Sequence, residues 1–299
     1  MDSKRAFRGL GRIALLLAGF FVVAIAILWT FQERFVFLPP VVPAVQGQRA
    51  VRVDFAAPDG QALFGFLVDA VRSRSTANDS ARGAILLFHG NGDLADSWVD
   101  WARAASARTG LPVFLAEYRG YGGLPGRATF SGVVGDARAA LDLVMQRFAL
   151  DSKQVVLYGH SLGSGVAVNL ATERSVHAVV LEAPITSLDD MGRRAFGPPL
   201  SWILPLISRS PFAPLRQAST VNAPISIVIG GRDEVAPPEM GRAVFAASAH
   251  RGELLEVPSA DHGNIADRGG HAYWDWFSRA VASPATLRAT PSTTRAIRP

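Results

Sequence analysis

Residues 154–165 read QVVLYGHSLGSG, an apolar run that stops at Gly159-His160-Ser161-Leu162-Gly163 and continues into the small residues Ser164, Gly165, Val166, Ala167 and Val168. A strand that turns sharply on glycine and enters a helix is the setting in which a G-x-S-x-G pattern carries chemical meaning. Side chains at the two glycine positions would collide with the strand and helix that close on the turn. The turn also leaves the serine at a helix N-terminus, where free N–H groups and the helix dipole favour developing negative charge. Ser161 is therefore a candidate nucleophile; the five-residue pattern alone also occurs in ordinary turns, and the flanking strand and helix separate the two cases.

Outward from this turn, short apolar runs alternate with helical patterns. Candidate strands cover 51–55, 63–68, 84–88, 112–116, 154–158, 178–181, 225–229 and 254–257, and candidate helices 95–107, 131–148, 163–172, 239–249 and 271–282. Such alternation predicts an α/β fold, a mostly parallel sheet flanked by helices on both faces. The first two strands have no helix between them, which predicts an antiparallel hairpin. One long connection, 187–222, breaks the rhythm and holds Trp202, Ile203, Leu204, Leu206 and Ile207. Segments of this length in a compact domain are usually functional, so a short cap is expected here. Its apolar stretch suits an acyl chain, with a simple packed crossover as the alternative. The globular domain is placed at 51–282, and the Ser-, Thr-, Pro- and Arg-rich stretch 283–299 is expected to be disordered.

A serine hydroxyl is a weak nucleophile near neutral pH and needs a base held in place by a third group. After the run 225–229 comes Gly230-Gly231-Arg232-Asp233-Glu234-Val235, and after 254–257 comes Ser259-Ala260-Asp261-His262-Gly263. Both lie where strands end, so Asp233 is the candidate acid and His262 the candidate base. Glu234 and Glu182 are the other carboxylates to weigh. Of the six histidines, His160, His177, His250 and His271 read as surface or packing residues, with His160 pointing away from Ser161. His89 lies in Phe88-His89-Gly90-Asn91-Gly92, a loop expected beside the serine turn. The backbone N–H groups of Asn91 and Leu162 are the candidate oxyanion hole.

The chain of 299 residues, 49% hydrophobic, is long enough for one sizeable core. Its net charge of +5 does not read as a nucleic-acid footprint, because the excess sits at the two ends and the remaining basic residues are scattered among acidic ones. Cysteine is absent, which excludes disulfides, thiolate metal sites and a cysteine nucleophile. Residues 13–31, IALLLAGFFVVAIAILWTF, carry no charge and have the length needed to cross about 30 Å of hydrocarbon. Lys4, Arg5, Arg8 and Arg12 precede them, so residues 1–12 are expected in the cytoplasm and the domain on the outer, periplasmic or extracytoplasmic, side. A cleaved signal peptide is the competing reading, but the stretch is long and ends without a small-x-small site. Residues 32–50, with Pro39, Pro40 and Pro43, read as a stiff linker.

Phe88-His89-Gly90-Asn91, Glu117-Tyr118-Arg119-Gly120-Tyr121-Gly122, the Gly159–Gly165 turn, Asp233 with Val235 and Pro237, and His262 together resemble the α/β-hydrolase-domain serine hydrolases anchored by one N-terminal helix. Phe31-Gln32-Glu33-Arg34 followed by Leu38-Pro39-Pro40 resembles the segment that leaves the membrane in that group. The resemblance implies the α/β-hydrolase fold and hydrolysis of a carboxylic ester or thioester, on a small-molecule acyl or lipid-like donor, through a Ser-His-Asp triad and an acyl-enzyme. Leu124-Pro125 departs from the small residues common there and is expected to reshape the acyl pocket. No cofactor is implied, and no metal: neither an H-E-x-x-H nor a phosphate-binding glycine pattern occurs. A serine peptidase, an acyltransferase using the same residues, and a non-catalytic membrane-bound binding module are the rival readings.

Overall fold

The runs of apolar residues become one sheet of eight strands, ordered β1-β2-β4-β3-β5-β6-β7-β8, in a computed structural model that describes residues 2–40, 50–70, 83–198 and 200–282. The strands are β1 (Val51–Ala56), β2 (Ala62–Val68), β3 (Ala84–Phe88), β4 (Val113–Ala116), β5 (Val155–His160), β6 (Ala178–Glu182), β7 (Ile225–Gly230) and β8 (Arg251–Val257). β1 and β2 form the expected antiparallel hairpin, β2 also runs antiparallel to β4, and every pairing from β4 to β8 is parallel. The central strands are buried on both faces, which explains why they read as unbroken apolar runs. β8 alternates exposed and half-buried residues. Its first three residues therefore lack an apolar signature, and the strand begins at Arg251 rather than at 254.

Two layers of helices cover the sheet. α3 (Phe130–Phe148), α4 (Leu162–Glu173), α7 (Pro214–Gln217) and α8 (Pro238–Ala247) pack with one set of strand side chains, where Leu86, Phe88, Leu157 and Ile227 meet Val133, Leu141, Val166 and Val244. α2 (Val99–Thr109) and α9 (Ile265–Val281) cover the opposite set, with Tyr158, Val180, Trp276 and Phe277 in its centre. α9 starts six residues before the predicted helix and bends at Gly270, whose backbone takes φ +48°. The predicted cap contains α5 (Leu188–Ala195), α6 (Leu200–Ile207) and the short α7.

The N-terminal apolar run belongs to α1 (Asp2–Val36), whose stretch Gly11–Val36 is long and apolar enough to cross a membrane and is unburied. α1 runs five residues past Phe31 into the sequence read as linker. The physical reason is that this last turn has partners: the Gln32 side chain donates to the Ile207 carbonyl (3.3 Å) and accepts from the Arg209 N–H (2.8 Å), and the Glu33 carboxylate accepts from the Phe130 N–H at the start of α3 (2.9 Å). Most of the remaining linker, 41–49, and the tail 283–299 lie outside the described residues.

Strand order reverses at β3, which has β4 on one side and β5 on the other. In an open parallel sheet, the crevice at the carboxyl ends of such a pair is where ligands bind. Nearby, Arg119 leaves β4 and is held by the Asp136 carboxylate on α3 (2.6 Å) and by Asp59 (2.7 Å). Both Arg119 and Asp136 are buried. Asp136→Ala should destabilise the folded domain by about 3–5 kcal/mol by leaving a buried guanidinium short of its partner, to be measured by denaturant unfolding of the detergent-solubilised chain; a loss within about 0.5 kcal/mol would mean that the pair is solvated.

Candidate active site

β5 ends at His160 and α4 begins at Leu162, so a single residue makes the turn. Ser161 takes φ +52°, ψ −116°, a conformation that L residues avoid. The neighbouring glycines make the turn possible. A Cβ on Gly163 would run into the Phe88 carbonyl of β3, and one on Gly159 would meet the Gly163 carbonyl. The Ser161 N–H donates to the Glu182 carbonyl (3.0 Å), which pins the turn to the end of β6.

The loops after β7 and β8 bring the two predicted partners to this point. His262 Nε2 lies 3.0 Å from Ser161 Oγ, and His262 Nδ1 lies 2.7 Å from Asp233 Oδ2. Asp233 is buried, and its other oxygen accepts from the N–H groups of Val235 (2.9 Å) and Ala236 (2.8 Å), so the carboxylate has one fixed orientation. The alternative carboxylates stand apart from this line, Glu182 engaged with two tyrosines and Glu234 in solvent. Glu182 accepts from the hydroxyls of Tyr158 (2.5 Å) and Tyr273 (2.7 Å), and burial raises its pKa against the pull of those two hydroxyls. Glu234 is exposed.

Leu162 is the first residue of α4, so its N–H has no acceptor within the helix. Asn91, in the loop after β3, borders the same cavity as Ser161, Leu162 and His262. That loop rests on a buried pair in which His89 Nε2 meets Glu117 Oε1 at 2.8 Å, while Glu117 Oε2 accepts from the Ala95 N–H (3.1 Å). Burial works to lower the His89 pKa, but the Glu117 charge and hydrogen bond outweigh it and the net shift is upward.

The other histidines lie on the surface or in packing, as their sequence settings suggested. His250 and His271 are exposed and His177 is half-buried. His160 is buried beside the site: its ring lies 5.1 Å from the His262 ring and 5.0 Å from Trp98, and its Nε2 is 3.2 Å from the His262 carbonyl. It is a support for the histidine loop. Leu124 is absent from the cavity wall and packs instead near Leu63 and Ala139 and against the opposite core, because its loop folds toward the hairpin side of the sheet.

The cavity has a volume of about 560 Å³. Ser161 and His262 lie on its wall, α5 contributes Met191 and Ala195, and α6 contributes Leu204 and Ile207. Leu28, Gln32, Phe35 and Val36 of α1 complete it. Sequence reasoning missed this last contribution. The signal was there in the spacing of Leu28, Gln32 and Phe35, which share one helical face. Asn91 makes the contact specific: its Nδ2 donates to the Val36 carbonyl (2.6 Å), and its Oδ1 accepts from the Leu38 N–H (3.0 Å) and the Tyr121 hydroxyl (2.7 Å).

Comparison with known proteins places this geometry in context. A family profile described as serine aminopeptidase, S33, matches residues 79–213. An uncharacterized protein of Mycobacterium tuberculosis is 29% identical over 289 residues, covering 95% of this chain and 97% of its own. The α/β hydrolase domain-containing protein WAV2 of Arabidopsis thaliana is 28% identical over 282 residues, covering 86% and 89%. Among solved structures, the esterase domain of a Rhodothermus marinus protein aligns with a TM-score of 0.57 at 20% identity, over 78% of this chain and 99% of that one. The Pyrococcus furiosus esterase Pf2001 aligns at 0.62 and 16%, over 83% and 98%.

Burial, reinforced by the neighbouring His262, pulls the His160 pKa down from 6.5 to about 4. Between those pH values the unfolded chain binds a proton that the folded chain refuses, so stability should fall as pH drops through that window, by about 3 kcal/mol for this group. His160→Gln should remove that part of the slope in unfolding experiments at pH 7 and pH 4.5. Equal slopes for the two proteins would show that the ring titrates freely.

Proposed function

From the premise that this chain has the α/β-hydrolase fold, we propose that it is a serine ester hydrolase acting on acyl esters or thioesters. The observation that carries the reading is the unbroken hydrogen-bonded line from Ser161 Oγ through His262 to Asp233 on the wall of a largely apolar cavity. Ser161 Oγ attacks the acyl carbonyl as His262 Nε2 takes its proton, and the N–H groups of Asn91 and Leu162 hold the oxyanion. The tetrahedral intermediate collapses, the alcohol or thiol leaves with the proton from His262, and Ser161 keeps the acyl group. Water then attacks the acyl-enzyme with His262 as base, which releases the acid and restores the serine. Asp233 fixes the imidazole tautomer and stabilises its protonated form. The esterase folds among the solved structures support the same reaction class.

A peptidase is the second reading, favoured by the description of the matching family profile and by Asp189, a carboxylate on the cavity wall that would suit a free amine. A panel of acyl esters, thioesters and aminoacyl amides on the purified chain separates the two. Turnover of the amides alone would overturn the ester reading.

The reading of the N-terminus belongs to the same proposal: α1 anchors the domain, with residues 1–12 inside and the cavity on the outer side. In a bacterial host, a reporter that works only outside the cytoplasm should be active when fused after residue 40, and the chain should resist carbonate extraction. A mature N-terminus near residue 30 would replace the anchor with a signal peptide.

Ser161→Ala should abolish fluorophosphonate labelling, and Asp233→Asn should lower kcat/KM by about 10⁴. Glu182→Gln and Glu234→Gln should cost far less. A glutamate variant more damaging than Asp233→Asn would reassign the acid.

A further inference from the structure

α6 has two faces of different use. Leu204 and Ile207 turn inward and line the cavity, whereas Trp202 and Leu206, one helical turn apart, are 71% and 83% exposed. The helix reads LSWILPLI, with no charge along its length. Large apolar side chains presented in this way by a helix that needs only its inner face for packing call for an apolar surrounding.

The surrounding is indicated by what lies beside α6. Its C-terminal end is fastened to α1 through Gln32, and the next basic residue, Arg209, sits with its guanidinium 4.6 Å from the centre of the Trp29 ring. Trp29 is at the outer end of the uncharged run 13–31, where tryptophans settle at the boundary between hydrocarbon and headgroups. An arginine stacked there can keep its charge among the headgroups while its stem lies along apolar surface. α6 is thus level with the outer boundary of the bilayer that α1 would cross. The cavity lies between the two helices, with Leu28 and Phe35 on one side and Leu204 and Ile207 on the other.

We propose that α6 is a second membrane-contacting element, laying Trp202 and Leu206 into the outer boundary of the bilayer beside α1, so that the cavity takes single-chain acyl amphiphiles directly from the lipid. The proposal rests on the reading of α1 as an anchor and of the cavity as the acyl site. It predicts that contact with lipid and access of long-chain substrates fail together when the outer face of α6 is made polar, while the chemistry at Ser161 persists.

The chain contains no cysteine, so single cysteines can report on chosen positions of the full-length protein. Leu206→Cys, Leu17→Cys in α1 and Lys153→Cys before β5, at the far edge of the sheet from Ser161, would each carry an environment-sensitive fluorophore in phosphatidylcholine vesicles with and without doxyl-labelled lipid. Quenching at positions 17 and 206 but not at 153 is the expected result. Quenching at 17 alone would overturn the proposal and leave the anchor standing; quenching at neither would overturn both. A blue-shifted but unquenched probe at 206 would mean that protein, in the form of a second copy, covers the face, and would also overturn it. In the same vesicles, Trp202→Glu/Leu206→Glu should lower kcat/KM for a long-chain monoacyl glycerol ester by roughly tenfold or more, as expected from losing the burial of two large side chains. Turnover of a water-soluble acetyl ester and fluorophosphonate labelling should stay unchanged. An equal loss on both esters would point to a damaged fold and overturn the proposal.

Discussion

The absence of two Cβ atoms governs the rest of the site. Gly163 lies against the Phe88 carbonyl and Gly159 against the Gly163 carbonyl, so β3, β5 and α4 approach more closely than side chains would allow. That approach forces the chain through Ser161 at a positive φ that L residues avoid. Strain of this kind costs on the order of 1–3 kcal/mol and persists only where the surroundings over-determine it. Here they do: the strands on either side are fully buried, and the Ser161 N–H is tied to β6. The hydroxyl and the first free N–H of α4 are held at the same edge of the sheet because the backbone has no other way to turn.

A buried polar framework holds the loops around that edge. Glu117 receives His89 and the Ala95 N–H, Glu182 receives Tyr158 and Tyr273, and Arg119 joins Asp136 to Asp59. Each joins segments distant in sequence, so each fixes where a loop leaves its strand. Buried polar groups are costly unless satisfied, and these satisfy one another. Asp233 follows the same rule with two backbone N–H groups and one imidazole. The catalytic geometry proposed for Ser161, His262 and Asp233 therefore draws on backbone positions as much as on the three side chains.

Sequence carried the elements that are fully buried or chemically punctuated. The strands from 84 to 229 are continuous apolar runs, and the residues at 161, 233 and 262 stand in loops at strand ends, where the sheet order brings them together. It carried poorly whatever depends on surface pairing. The first residues of β8 look polar because one edge of that strand faces water, and the last turn of α1 looks like a linker because Gln32 and Glu33 find their partners on α6 and α3. His160 is the packing residue the sequence suggested, but that it packs on His262 is a property of the assembled loops, invisible in the order of residues.

The junction of α1 with the domain ties location to chemistry. Asn91, the residue whose N–H is proposed to hold the oxyanion, uses its side chain to grip Val36 and Leu38 at the end of α1. Any tilt of α1 must be absorbed either by these hydrogen bonds or by the loop after β3. That loop is braced from within by the His89–Glu117 pair, and the helix end by Gln32, Glu33 and the buried Phe37. Phe37, buried against Phe130 at 5.6 Å, then serves as the apolar pin that keeps the departing chain seated on α3, immediately behind the wall of the cavity.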